Sequence, residues 1–95
     1  MIHPDARFRT DPDVAYTRFD EAEGVLLHLT TKHFFSLNET AVVIWEGIAR
    51  QQPVAQIART LAETYDISPE AALQHVGRFV DDAQRNRLIT ACDDA

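Results

Sequence analysis

The stretch KHFFSLNETAVVIW, Lys32 to Trp45, constrains the fold more than any other part of the chain, because a β-type run passes there directly into a capped helix. His33 to Leu37 alternate so that Phe35 and Leu37 share one face, and the pleat of a strand presses that pair onto a core. Asn38 then stops the strand. Its side chain can accept from the first free backbone N–H groups of a helix, and Glu39 puts negative charge at the positive end of the helix dipole. Ala41, Ile44, Trp45 and Ile48 follow at helical spacing, which predicts a helix from Glu39 to about Arg50.

The same reading extends in both directions. Asp13 to Phe19 alternates Val14, Tyr16 and Arg18 with Ala15, Thr17 and Phe19, a strand-length mix of β-branched and aromatic residues. Asp20 to Gly24 is a charged turn, Val25 to Leu29 a second strand, Thr30 to Lys32 a polar turn, and His33 to Leu37 the third strand of a meander. Past the first helix, Pro53 suits the first turn of a second, whose apolar face is Val54, Ile57, Ala58, Leu61 and Tyr65. Ser68-Pro69-Glu70 starts a third, carrying Ala72, Leu73, Val76, Phe79, Val80 and Ala83 and closing with Leu88 and Ile89 in a short tail. That stripe is broader than one packing seam needs. Three strands followed by three helices make an α+β layer of the winged helix-turn-helix type, a three-stranded antiparallel sheet with the second and third helices as the helix-turn-helix element.

A chain of 95 residues makes one domain, too small for a deep cleft between lobes. Residues 1–12 read as an extended lead-in in which Ile2 and Phe8 dock only loosely; the domain covers 13–90, and 91–95 form an acidic tail. Charge excludes more. Nine basic against fifteen acidic residues give a net charge of −6, with no basic face visible, which disfavours a phosphate backbone. Cys92 is the only cysteine, so one chain can build neither a disulfide nor a thiolate metal cluster. No signal-peptide core and no apolar run of membrane-spanning length is present, and the expectation is a soluble cytoplasmic protein without membrane contact.

Catalytic patterns are missing as well. His3, His28, His33 and His75 are scattered without the pairing of a metal site, and Gly24, Gly47 and Gly77 are isolated and form no phosphate loop. No serine or cysteine has a nucleophile setting, so neither catalytic residues, nor a metal, nor a cofactor is expected. Asp81 and Asp82 read as a solvated helix face with i,i+4 ion pairs, Arg78 to Asp82 and Asp81 to Arg85. A DNA reading would send Gln74, His75, Arg78 and Asp81 into a major groove, but the acids beside them repel phosphates. A winged-helix DNA-binding transcriptional regulator is therefore the second reading. The third strand points elsewhere: in a meander its outer edge is a row of N–H and C=O groups able to template an incoming strand, with Lys32 and His33 placed to guard it against self-association. Dimerisation through that edge is a third reading.

These residues resemble the PqqD-like proteins, the peptide-recognition elements of pathways for ribosomally made, post-translationally modified peptides. The likeness runs from about Val14 to Ile89. It is carried by Val25, Leu26 and Leu27, by Phe34-Phe35-Ser36-Leu37-Asn38 leading into Ile44-Trp45, by the Val54 to Leu61 helix, and by Val76, Phe79, Leu88 and Ile89. The resemblance implies a non-catalytic adaptor that binds the leader segment of a precursor peptide and presents it to a modifying enzyme such as a radical SAM enzyme, a cyclase or a leader peptidase. It implies that the leader adds as a strand along residues 33 to 37, with Phe34 and Ser36 flanking its backbone, and that Val76, Phe79, Val80 and Ala83 wall an apolar groove. The candidate peptide-binding set is thus Lys32, His33, Phe34, Phe35, Ser36, Leu37, Leu73, Val76, Phe79, Val80 and Ala83; the stripe alone does not separate groove from core. His75, Ala83 and Arg87 depart from the family pattern, and so does TTKHFFSLN, which implies a different leader and leaves pyrroloquinoline quinone, lasso and other peptide pathways open.

Overall fold

The computed structural model describes residues 3–92. Strands β1 (Phe8–Thr10), β2 (Val14–Arg18), β3 (Gly24–His28) and β4 (Phe34–Leu37) precede helices α1 (Glu39–Ala49), α2 (Val54–Tyr65) and α3 (Pro69–Arg85), and β5 (Ile89–Ala91) closes the chain. The antiparallel sheet β2-β3-β4 is the expected meander, with Tyr16, Leu26 and Phe35 aligned across it. Its inner face meets the helices, where Leu26, Val42, Trp45, Ile48, Ile57, Leu61 and Val76 are sealed from solvent. Removing such side chains from water is the main drive for closing sheet onto helices.

The helix starts follow their local chemistry. Asn38 Oδ1 accepts from the Ala41 N–H at 2.9 Å, and Ser68 Oγ accepts from the Ala71 N–H at 3.1 Å with Pro69 opening α3. Pro53 differs from expectation. It stands at the cap position before α2, with extended backbone and no side-chain cap. The orphan donors of that helix are met from far away in sequence: the Val54 N–H donates to the Ala6 carbonyl at 2.9 Å and the Ala55 N–H to the Pro4 carbonyl at 2.8 Å.

The stretch read as a loose lead-in is therefore built into the fold. β1 pairs antiparallel with β5, Arg9 opposite Thr90, in a second sheet of two strands. Phe8 is 6% exposed and belongs to the core, as do Leu88 and Ile89 of the supposed tail. Each strand has three residues, too few for alternation to register, and their partners lie at opposite ends of the chain. Ile2 and residues 93–95 lie outside the described residues.

A polar clamp ties the meander to α1. The Tyr16 hydroxyl and the Arg18 guanidinium both donate to Glu46 Oε2 at 2.9 Å. Burial first, then the hydrogen bond to Glu46 and its negative charge, push the Tyr16 hydroxyl above its ordinary value of 10.0, with Arg18 pulling weakly back. A raised phenol contributes stability fully below about pH 10 and loses it as pH rises through the folded value.

Two outcomes are expected. Phe8→Ala should lower unfolding free energy by about 3 kcal/mol in urea titration, as for a core aromatic and not a surface residue. Tyr16→Phe should cost about 1 kcal/mol at neutral pH and reduce the loss of stability above pH 10, with a residual slope from Tyr65, whose hydroxyl is also raised, chiefly by burial.

Candidate functional site

The turn from β3 into β4 sets the geometry of the edge. The Lys32 N–H donates to the His28 carbonyl at 2.8 Å, and Lys32 takes the left-handed conformation at φ 65 that closes so tight a turn. His28, 5% exposed beneath it, accepts at Nδ1 from the Thr30 and Thr31 N–H groups at 3.3 and 3.4 Å. This histidine is a structural part of the turn. The His28 N–H then donates to the His33 carbonyl at 3.0 Å, which fixes the pairing phase of β4.

Antiparallel pairing alternates, so the phase decides which groups stay free. Residues 33, 35 and 37 exchange hydrogen bonds with β3, opposite His28, Leu26 and Gly24. The N–H and C=O groups of Phe34 and Ser36 must then point away from β3, and among the described residues no strand lies beyond β4 in the sheet. Among the described residues no hydrogen bond outside the sheets and helices engages them. The side chains alternate in the same rhythm. Phe35 and Leu37 face the helices, while Phe34, 71% exposed, and Ser36 stand on the outer face beside Leu27 and Val25.

Between this edge and α3 runs a groove with a cavity volume of about 760 Å³. Phe35, Ser36, Leu37, Asn38 and Ala41 form one wall, Phe79, Asp82, Ala83, Asn86 and Leu88 the other. Leu26 lies at the base, and Phe19, Ala22 and Glu23 of the β2–β3 turn, with Gly24 and Val25 of β3, line one part of it. The result is a mainly apolar trough, bordered along one side by unused backbone donors and acceptors.

The expected set divides. Phe35, Ser36, Leu37, Phe79 and Ala83 converge on the groove, Phe34 shares the edge, and Lys32 and His33 are exposed at the turn leading into it. Leu37 and Ala83, 5% and 2% exposed, offer little surface. Val76 and Val80, at 0% and 1%, are core residues and offer no groove wall. Leu73 lies on the other flank of α3, toward Phe8 and Gln74. The broad stripe of α3 thus serves three directions at once: the core, the groove and the flank under β1.

Reading for hydrophobic residues missed Asp82 and Asn86, which follow Phe79 by three and seven residues and so share its face. Asp82 does not pair with Arg78 as expected, nor Asp81 with Arg85; Asp82 instead meets Arg85 at 3.5 Å, exposed on both sides. The Arg18–Glu46 pair leaves no local signal in the sequence, because its partners sit on different elements. Among the described residues no group of three or more His, Cys, Asp or Glu side chains is placed to hold a metal ion. Nor is any helix among them long and apolar enough to cross a membrane.

A winged helix-turn-helix domain with an open strand edge above an α3 groove is the class of molecule these features define. The family model for coenzyme PQQ synthesis protein D (PqqD) matches residues 23–89, and the chain belongs to that family. Its fold is similar to TbiB1, solved in complex with the TbiA(beta) leader peptide, at 21% identity and a TM-score of 0.82, covering 90% of this chain and 99% of that one. A lasso peptide synthetase B1 complexed with its leader peptide gives 23% identity and 0.79, over 87% and 96% of the two chains. The PqqD portion of Methylobacterium extorquens PqqCD, described as a stand-alone recognition element for ribosomally synthesised and post-translationally modified peptides, gives 25% and 0.76 over 95% of each. No curated protein matches the chain.

Hydrogen exchange tests the edge directly. In the free protein the Phe34 and Ser36 amides should exchange roughly a hundredfold faster than those of Phe35 and Leu37. Equal protection would mean that the edge is already covered.

Proposed function

We propose that this protein is a non-catalytic adaptor that binds the leader segment of a ribosomally made precursor peptide by strand addition to β4 and presents it to a separate modifying enzyme. The observation that carries the reading is the pair of free backbone positions, Phe34 and Ser36, bordering the groove under α3. Backbone pairing supplies affinity in this mode, and pockets for alternate side chains supply selectivity. Support also comes from family membership and from two solved relatives of the same fold that hold leader peptides. The modifying enzyme would be a radical SAM enzyme, a cyclase or a leader peptidase, and the setting the cytoplasm. Because the leader must order on binding, the expected affinity is on the order of 1 μM or tighter.

The regulator reading finds less support. Glu70, Asp81 and Asp82 lie along α3 in a chain of net charge −6, whereas a helix entering a major groove sits among phosphates. Binding to a duplex with a steep salt dependence would revive it.

Ser36→Pro separates binding from folding. Proline is tolerated on an edge strand where its missing N–H faces solvent, so the domain should melt within about 1 kcal/mol of the parent. Titration calorimetry with leader peptides from short reading frames beside the gene should show binding lost in this variant. Phe79→Ala should weaken binding roughly tenfold while the domain stays folded, since Phe79 is only half-buried in the groove wall. Unchanged affinity in both variants would contradict strand addition at this edge.

A further inference from the structure

We propose that the segment this groove accepts is cationic as well as apolar: an extended stretch with apolar side chains entering the groove and lysine or arginine flanking them. The inference rests on the strand-addition reading above and adds the chemistry of the ligand. Among the described residues two charged side chains line the groove, Glu23 and Asp82, and both are acidic; no lysine or arginine among them lines it. Glu23 has no side-chain hydrogen bond or ion pair among the described residues. Asp82 has Arg85 at 3.5 Å, but these side chains are 65% and 76% exposed, so the pair is weak and readily exchanged for a ligand cation. The net charge of −6 adds a field of the same sign around the site.

The register supplies the rest of the pattern. A strand bonded to Phe34 and Ser36 places the residues opposite them on the outer face, beside the exposed Phe34 ring, and sends the alternate residues inward against Phe35 and Phe79. Apolar side chains suit both directions at the centre of such a segment. Its charges therefore belong outside that centre, where Glu23 and Asp82 of the lining reward a cation and repel a carboxylate. The same charge acts against a second copy of this chain as occupant, because it would bring another acidic rim and another net −6 to the edge.

The test uses the whole protein, isotopically labelled, and a set of twelve-residue peptides of alternating threonine with valine, leucine, phenylalanine or tyrosine. Each is made twice, once with lysine and once with glutamate at the two flanking positions. The lysine peptides should bind about tenfold tighter at low salt, with the advantage shrinking as ionic strength rises, and should shift the Phe34 and Ser36 amides. The double variant Glu23→Lys with Asp82→Lys should reverse the preference. Equal binding of both sets, or tighter binding of the glutamate set, with the same amide shifts would overturn the charge inference while leaving the peptide reading in place. If no peptide moves those amides, or if they move on raising protein concentration alone, both readings fail.

Discussion

The phase of β4 is the constraint on which the rest depends. Leu37, 5% exposed, anchors the strand to the core one residue before Asn38 caps α1. At the other end the His33 carbonyl accepts from His28 across a turn held by Lys32 and the His28 ring. A slip of one residue would drive Phe34 and Ser36 into the core and turn Phe35 and Leu37 out, against the burial of the whole inner face. With the phase locked from both sides, the free backbone groups of the edge fall at Phe34 and Ser36, beside the groove under α3. The geometry of the open edge is a by-product of how the core is closed.

The third helix carries the complementary wall. Ala72, Val76, Val80 and Ala83 are closed into the core, and Leu73 and Gly77 turn toward Phe8. Phe79, Asp82 and Asn86 face β4. Because one helix serves these roles together, its position sets the shape of the groove. The lead-in helps hold that position: Phe8 packs against the far flank of α3, and the carbonyls of Pro4 and Ala6 satisfy the start of α2.

The three-stranded meander and the three helices were legible because their signals are local: alternation from Val14 to Arg18, the Asn38 and Ser68 caps, and apolar spacing along each helix. The strands β1 and β5 were not, since three residues carry no period and their pairing spans almost the entire chain. At the candidate site, the edge strand could be read from the residues, while Phe79 entered the groove wall only through the family resemblance. Val76, Val80 and Leu73 were grouped with Phe79 because an apolar stripe records burial and not direction. Asp82 and Asn86 carry no such signal, because an acid and an amide on a helix read as solvated surface until a facing strand turns that surface into a groove.

The most direct test of the account is an isotope-filtered nuclear Overhauser spectrum of the labelled protein bound to an unlabelled leader peptide. Cross-strand contacts from peptide backbone protons to the Phe34 and Ser36 backbone, with peptide side chains touching Phe35 and Phe79, are the predicted result. A peptide whose contacts all fall on α2 or on the far flank of α3, with none to β4, would contradict it.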